Sequence, residues 1–291
     1  MAFDVNTIKE NIRDTLRTYL YPQNLEGTVE VKLSDTINYE VAQSFKTYSK
    51  CYSKVSPYRY TLNVYLQASK TGTPSGGLQV SLTNDSNDIP SSTLYTSTIP
   101  AASIGTSAST VLTKYTLSTY LGSNTKYWLK VTPLNTVSTL NYFSVYRTST
   151  DEYLPGSLKI YSSSWDTTDG DLYFKADIPN FLYTDYPRSD ISMFSFPRMA
   201  VDVIGRRVNQ KWISKELSEY YLDLTIVAYS RFPEELDDLL SFTDRALFRN
   251  RTNVGSIKRI DPAAMTPVSV IREDLLSRGM RYSLIWKMST I

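Results

Sequence analysis

The chain has 291 residues, with 31 basic and 29 acidic side chains, a formal net charge of +2 and no histidine. The missing imidazoles exclude Ser-His-Asp and Cys-His nucleophile systems and every histidine metal ligand. The single cysteine, Cys51, excludes an internal disulfide and a thiolate zinc cluster, and we interpret it as a structural residue. The balanced charge argues against a large phosphate-binding face.

No targeting or membrane segment is predicted. No apolar run approaches the roughly 18 residues that a membrane span needs. The N-terminus carries acidic residues early and lacks the apolar core of a signal peptide. We therefore expect a protein that is made in a cytoplasm and has no membrane partner.

A helix over residues 5–20 is the first predicted element. Asp4 suits its N-cap, and Pro22 ends it. Apolar residues recur at helical spacing on one face: Val5, Ile8, Ile12, Leu16, Tyr19 and Leu20. Residues 28–35 then alternate apolar and charged side chains, which predicts a short half-buried strand.

The middle of the chain, residues 37–177, is rich in Ser and Thr and shows short alternating runs separated by Gly, Pro, Asn and Asp. These runs predict strands over residues 60–68, 77–83, 109–117, 126–133, 156–164 and 171–177. About seven to nine short strands without a helical window are typical of an antiparallel, jelly-roll-like β-sandwich.

Mixed helix and strand patterns return after a proline-rich connector at residues 178–198. Strands are predicted at residues 199–205, ended by Gly205, at 220–230 and at 280–290. Residues 232–251 predict a helix with Pro233 in its first turn, acidic residues near its start and a buried leucine stripe. The stripe consists of Leu236, Leu239, Leu240 and Leu247.

Together these elements predict an α+β fold with an inserted module. A lone N-terminal helix needs another apolar surface to cover, so residues 1–36 and 178–291 should form one discontinuous α+β domain, with residues 37–177 as an inserted β-sandwich. Three consecutive domains are the alternative. Insertion requires Asp35 and Ile178 to lie side by side. The strands at 220–230 and 280–290 should share one sheet covered by the 232–251 helix.

One acidic loop offers a candidate metal site. Asp166, Asp169 and Asp171 surround Gly170, an oxygen-rich arrangement that Ca²⁺ accepts. The loop lacks the twelve-residue spacing and terminal Glu of an EF-hand. We interpret it as a β-turn, keep Ca²⁺ as the alternative, and predict no required metal or cofactor. Asp85 and Asp88 form a weaker pair of the same kind.

Aromatic residues on the predicted strands offer a glycan-binding site. A sugar could stack on Tyr58, Tyr60, Tyr65, Tyr127 and Trp128 if they share one exposed face. The other interpretation is that they are ordinary half-buried strand residues.

Basic residues follow the strand at 199–205. Arg206, Arg207 and Lys211 suit either a solvated loop or contact with an acidic protein or nucleic acid. Arg245 and Arg249 add positive charge late in the second helix. No carboxylate spacing forms a recognisable catalytic motif, so we predict no enzymatic activity.

The order of the C-terminal motifs resembles that of the tail-terminator and tail-completion proteins of long-tailed bacteriophages and related archaeal viruses. The motifs are RMAVDVIGRR, YYLDLTIVAYS, PEELDDLLSFTDRALFRNR and RGMRYSLIWKM, and the N-terminal helix is similar to the one that opens such proteins. The resemblance covers residues 1–36 and 190–291. It implies a ring, usually six-fold, that caps the tail tube and joins it to the head-side connector, with DNA passing only through its lumen.

The predicted sandwich is additional to that family, whose members are typically much shorter. It is similar to choice-of-anchor type surface modules through PSGGLQVSLTNDSNDIPSSTLYTSTIPA and LGSNTKYWLKV. That resemblance implies a module of extracellular and virion proteins, often with suspected glycan binding. We therefore expect a structural virion protein, made in the host cytoplasm and located at the tail–neck junction. Its interface candidates are Arg206, Arg207, Lys211, Arg245 and Arg249. A glycan- or receptor-binding virion protein is the alternative.

Overall fold

The computed structural model describes residues 4–21, 27–34, 40–48, 60–117, 121–122, 124–176, 180–187, 196–209, 217–255, 257–272 and 274–289. The chain folds into two compact units. The first, which we call the α+β unit, consists of residues 1–20, 48–53 and 179–291. The second, which we call the sandwich, consists of residues 21–47 and 54–178. The predicted α+β fold with an antiparallel β-sandwich is confirmed.

The sandwich contains eleven of the described strands, in two antiparallel sheets. The strands are β1 (Val29–Leu33), β2 (Glu40–Lys46), β3 (Tyr60–Thr71), β4 (Gly77–Ser86), β5 (Ile89–Pro100), β6 (Ser109–Leu117), β7 (Lys126–Pro133), β8 (Tyr142–Arg147), β9 (Leu158–Tyr161), β10 (Trp165–Thr168) and β11 (Phe174–Ala176). A five-stranded sheet has the order β1-β8-β3-β11, with β6 also paired to β3. A six-stranded sheet has the order β10-β9-β2-β7-β4-β5.

Alternating burial explains why these segments form strands with one covered face. In β6, Val111, Thr113, Tyr115 and Leu117 are buried, and the residues between them are exposed. The Tyr115 hydroxyl donates to the Val80 carbonyl oxygen of the other sheet at 2.9 Å. The two sheets therefore enclose a shared core.

Strand β5 was not among the predicted strands because its sequence shows no apolar alternation. It is an edge strand with mostly exposed residues. Its position comes from the β4–β5 hairpin, in which Asn87 and Asp88 have φ of 51° and 62°. Two successive positive φ values characterise the type I′ turn, whose twist matches that of antiparallel strands.

Strand β1 pairs within the sandwich, which corrects the predicted boundary at residue 36. It pairs with β8 from Val29↔Arg147 to Leu33↔Phe143. The alternation of this segment predicts a half-buried strand but does not specify the partner strand. The predicted proximity of Asp35 and Ile178 lies outside the described residues.

The α+β unit combines both ends of the chain. Its described elements are α1 (Val5–Leu20), β12 (Leu182–Tyr183), β13 (Arg198–Asn209), β14 (Leu217–Ser230), α2 (Pro233–Arg249), β15 (Ile257–Met265), β16 (Ser269–Arg272) and β17 (Leu275–Ser289). The sheet has the order β12-β13-β14-β17-β15, and β16 also pairs with β17. Only β12, which is parallel to β13, departs from antiparallel pairing among these strands.

The two helices cover one face of this sheet. Strands β14 and β17 pair in register from Leu217↔Ser289 to Ser230↔Leu276, and α2 contacts both of them. Helix α1 contacts α2 and β13. The helices bury Ile8, Ile12, Leu16 and Leu20 of α1 and Leu236, Leu239, Leu240 and Leu247 of α2. The prediction that β14 and β17 share a sheet covered by the second helix is confirmed.

The predicted N-cap of α1 is also confirmed. Asp4 accepts hydrogen bonds from the Thr7 hydroxyl at 2.7 Å and from the Asn6 amide at 2.9 Å. These two bonds, the Thr7 bond first, lower the pKa of Asp4. A carboxylate here also faces the positive end of the helix dipole.

Candidate functional site

Asp171, the central residue of the candidate metal loop, is a structural hydrogen-bond acceptor inside the sandwich. It is only 1% exposed. Its Oδ2 accepts from the backbone N–H groups of Glu152 at 2.6 Å and Tyr153 at 2.7 Å, and its Oδ1 accepts from Gln43 Nε2 at 3.0 Å. Burial raises the pKa of Asp171 to about 6, although these hydrogen bonds oppose the shift. The protein itself therefore supplies the donors that this carboxylate needs.

Gln43 has only one amide orientation that fits its neighbours. Its Oε1 accepts from the Leu172 amide at 2.8 Å, and its Nε2 donates to Asp171 and to the Ser44 carbonyl oxygen at 3.2 Å. Gln43 belongs to the six-stranded sheet, whereas Leu172 bridges to Arg147 at the end of β8. The Gln43–Asp171 network therefore connects the two sheets.

The other two acidic residues of the loop have separate environments. Asp166 lies in β10 opposite Ile160 and accepts from the Ser164 hydroxyl at 3.2 Å. The Asp169 backbone carbonyl accepts from Arg147 at 2.5 Å. In the described part of the chain, no three Cys, Asp or Glu side chains are grouped so that they could hold a metal. Asp166, Asp169 and Asp171 thus do not converge on one site.

Removing divalent metal should leave the stability of the full chain unchanged. Asp171 already has its hydrogen-bond donors, so no ion is needed to satisfy it. We expect the melting temperature in EDTA and in CaCl₂ to agree within about 1 °C, because a ligand that does not bind the folded state cannot stabilise it. Differential scanning calorimetry measures this. A drop of several degrees in EDTA that CaCl₂ reverses in wild type but not in Asp166→Asn would contradict it.

Asp85 and Asp88, the weaker acidic pair, bind side chains on β7 and β9. Asp85 accepts from the Trp128 indole N–H at 2.6 Å. Asp88 forms ion pairs with Lys126 at 2.5 Å and Lys159 at 3.3 Å. Burial alone would raise the pKa of Asp88, but the hydrogen bonds and charges of these two lysines hold it below its ordinary value. The two carboxylates therefore stabilise the position of the β4–β5 turn against β7 and β9.

The predicted aromatic platform does not form as one exposed face. Trp128 is 0% exposed and Tyr127 is buried, because both belong to central strand β7 and contribute to packing. Tyr65 is half-buried, with Lys175 Nζ 5.3 Å from its ring centre. Tyr58 and the side chain of Tyr60 lie outside the described residues.

A different set of tyrosines lies on the outer face of the five-stranded sheet. Its half-buried members are Tyr65, Tyr142, Tyr146 and Tyr173. Tyr146 shares a hydrogen bond with Ser69 at 2.9 Å, and Tyr173 shares one with Thr110 at 3.4 Å. Alternation along β3 and β8 could have shown that Tyr65, Tyr142 and Tyr146 lie on a common type of strand face. It does not show which of the two faces of the sheet is buried in the core.

The expected basic loop is partly strand. Arg206 and Arg207 lie in β13, opposite Leu222 and Tyr221 of β14, and the register shifts between Ile204 and Arg206. The expectation that Gly205 ends the strand is therefore wrong, because a β-bulge at this position lets pairing continue to Asn209. The side chains of Arg206 and Arg207, and the whole of Lys211, lie outside the described residues.

The basic residues of the second helix lie on its exposed face. Arg245 and Arg249 are exposed, as is Phe248 between them, and the guanidinium of Arg251 lies 5.1 Å from the centre of the Phe248 ring. This face combines positive charge with one exposed aromatic ring. It remains the interface candidate that the sequence indicated.

The sheet face opposite the helices contains a groove of about 540 Å³. Its polar lining includes Tyr186, Asp223, Thr225 and Arg281, while Val227 supplies apolar surface. Burial, followed by the nearby Asp202 carboxylate, raises the pKa of Tyr186 to about 12. Sequence reasoning missed this groove because its lining comes from four separate segments, residues 186, 223–227, 263–266 and 277–282. Alternation within one strand does not specify which other segments lie beside it.

These features define a two-unit α+β protein that carries an antiparallel β-sandwich. No protein-family model matches the chain, and no curated protein matches it in sequence. None of the described helices is long and apolar enough to cross a membrane.

Proposed function

We propose that this chain is a structural virion protein of the tail–neck junction. In this proposal the α+β unit forms a ring, usually six-fold, that caps the tail tube and joins it to the head-side connector. The sandwich decorates that ring, and the protein performs no catalysis. One observation carries the proposal: residues from both ends of the chain form one compact unit, and the sandwich between them is a second compact unit.

The element order of the α+β unit supports this proposal. Helix α1 leads the chain, and β13, β14, α2 and β17 follow the sandwich, which is the order expected from the resemblance to tail-terminator proteins. The described helices, α1 and α2, cover one face of the sheet, and the proposal assigns other surfaces of the unit to neighbouring proteins. Exposed Arg245 and Arg249 supply positive charge for contacts with acidic neighbours.

Deleting the sandwich should leave the oligomer intact. A variant in which a Gly/Ser linker replaces residues 21–179 should form the same number of subunits as the 33.1 kDa full chain. The linker closes a gap at little entropic cost, and α1 contacts β12 just beyond the deletion. Mass photometry gives the subunit number, and cosedimentation with tail tubes of the same virus tests capping.

The deletion also removes one contact of the α+β unit, so a second variant that keeps this contact is needed. The Tyr48 ring packs edge-on against Phe181 at 5.0 Å within the α+β unit, so removing residue 48 uncovers Phe181. A second variant therefore keeps residues 48–53 between two linkers. If the full chain is strictly monomeric and does not sediment with tubes, the proposal fails. If only the deletion variants are monomeric, the sandwich is part of the ring joint.

The second candidate function is glycan or receptor binding by the sandwich. The outer face of the five-stranded sheet favours it, because tyrosine rings with hydrogen-bonding neighbours suit sugar stacking. Full chain bound to a glycan array, compared with Tyr65→Ala and Tyr173→Ala, tests this function. Loss of one sugar class in both variants would support it, and an array without signal would dismiss it.

A further inference from the structure

The sheet of the α+β unit has two outer edges without a described partner strand along much of their length. On one side, β12 pairs only with Met199 and Ala200 of β13, so the outer edge of residues 201–209 faces no described strand. On the other side, the Ile260 amide donates to the Arg251 carbonyl oxygen at 3.0 Å. Beyond Ile260, no described strand pairs with the outer edge of residues 261–272. Unpaired strand edges are templates for pairing with another chain.

The second edge ends in an exposed apolar hairpin tip. Val270 is 71% exposed and Ile271 is 54% exposed. The pairing with β17 shifts register between Val270 and Arg272, so Val270 and Ile271 lie at a β-bulge that leaves both side chains exposed. Met265 and Val268 add further exposed apolar surface in the same segment. Apolar surface gathered on a strand edge marks an association site.

The strand directions determine how two copies can join. The long strands β13, β14, β17 and β15 alternate in direction because each pair is antiparallel. With four such strands, β15 and β13 run in opposite directions. Placing the β15–β16 edge of one copy beside the β13 edge of an identically oriented copy therefore makes an antiparallel pair. Such a head-to-tail contact uses two different surfaces and closes into a ring when the rotation fits.

We propose that the outer edge of residues 261–272 in one copy pairs with the outer edge of residues 201–209 in the next copy. The sheets then run continuously around the ring, and Val270 and Ile271 are buried at each joint. Pro262 and Pro267 lack an N–H donor, so the hydrogen bonds are concentrated near β16. This inference rests on the proposed ring and specifies its joint.

Cysteine cross-linking of the full chain tests the joint directly. In a Cys51→Ser background, Val270→Cys is combined in turn with Asp202→Cys, Val203→Cys and Ile204→Cys, because paired strand residues bring Cβ atoms within disulfide range. Oxidation should give a ladder of covalent multimers for at least one pair, read on a non-reducing gel. No ladder for any pair would overturn the proposal. Covalent dimers from Val270→Cys alone would overturn it in favour of a two-fold contact between tips.

Charge at the tip gives a second, independent readout. The Val270→Asp, Ile271→Asp double variant should weaken assembly about 100-fold, because two apolar side chains lose burial and two charges enter the joint. Leu140→Asp, at a sandwich residue that is 76% exposed, is the matched control and should assemble like wild type. At a protein concentration low enough to dissociate wild type, both variants should keep the wild-type melting temperature, since the altered side chains are exposed in the single chain.

The outcomes separate this inference from the proposed function. If wild type forms a ring that binds tail tubes, while the double Asp variant assembles with unchanged affinity, then the joint is wrong and the function stands. If wild type is strictly monomeric, both fail. A ladder together with loss of assembly in the double Asp variant supports both.

Discussion

Replacing Leu240 by Ala should lower the free energy of unfolding of the α+β unit by about 2–5 kcal/mol, as large-to-small changes in packed cores do. Leu240 is fully buried on α2, and this helix contacts β14, β15 and β17 as well as α1. The loss combines the transfer of the removed methyl groups to water with the cavity left between helix and sheet. Hydrogen exchange read by mass spectrometry measures the loss separately for each unit, because a two-unit chain need not unfold in one step.

The matched control for Leu240 is an exposed residue of the same helix. Phe248 is 62% exposed, so Phe248→Ala should change the free energy of unfolding by less than about 0.5 kcal/mol. Faster exchange in β14 and β17 peptides is expected only for Leu240→Ala. A loss below about 1 kcal/mol for that variant would mean that α2 is not the main cover of this sheet.

Replacing Asp171 by Asn should destabilise the sandwich by about 3 kcal/mol at neutral pH, because the buried Gln43 Nε2 donor loses its acceptor and meets a second donor. The new amide can use its oxygen for the Glu152 and Tyr153 N–H groups, but its NH₂ then faces the Gln43 NH₂. Gln43 cannot turn over, because its own oxygen accepts from the Leu172 amide. Two donors therefore meet in a buried site.

A second substitution should restore the pairing. In the Gln43→Glu, Asp171→Asn double variant, the carboxylate at position 43 accepts from both the new amide and Leu172. The bond from Gln43 to the Ser44 carbonyl oxygen is lost both in this variant and in Gln43→Glu alone, so it cancels in the comparison of the two. Gln43→Glu alone should be strongly destabilising, because it places two buried carboxylates in contact. The double-mutant cycle should thus show a favourable coupling of about 2 kcal/mol or more, measured by urea unfolding. Additive losses would show that the two side chains do not depend on each other.

The same residue gives the sandwich a pH dependence. Burial raises the pKa of folded Asp171 to about 6, above its ordinary value of 3.8. Between these two pH values the folded state binds more protons than the unfolded state, so the contribution of this group to stability falls as the pH rises. Asn does not titrate, and the advantage of wild type over Asp171→Asn should be larger near pH 4 than near pH 7. Urea unfolding at both pH values measures this, and an advantage that grows with pH would contradict it.

Both helices and most strand positions could be predicted because an element that buries one face has apolar residues at regular spacing in its sequence. Ile8, Ile12 and Leu16 recur at helical spacing, and Leu222, Leu224 and Ile226 recur at strand spacing. Asp4 and Pro233 mark helix starts through backbone chemistry that depends on a few adjacent residues. Strand β5 lacks such a period, since both its faces are largely exposed, and pairing with β4 alone places it.

The candidate sites were less predictable, because a side chain's role depends on groups distant in the chain. Asp171 looked like a loop carboxylate, but Gln43, more than a hundred residues earlier, is one of its donors. Trp128 was a candidate for stacking with a sugar, but it is fully buried because it lies in a central strand. The bulge after Ile204 continues β13 past a glycine that suggested its end.

The sequence by itself determined the α+β class, the positions of α1 and α2, the Ser/Thr-rich β-sandwich and the pairing expected between β14 and β17. Each of these follows from periodicity, capping or turn chemistry within a short window. Only the tertiary structure decided that β1 pairs with β8, that Asp171 links the two sheets of the sandwich, and that Val270 and Ile271 lie exposed at a hairpin tip. The free energy of long-range packing decides which strands pair and which faces are buried. A local sequence pattern narrows these choices but does not specify one of them.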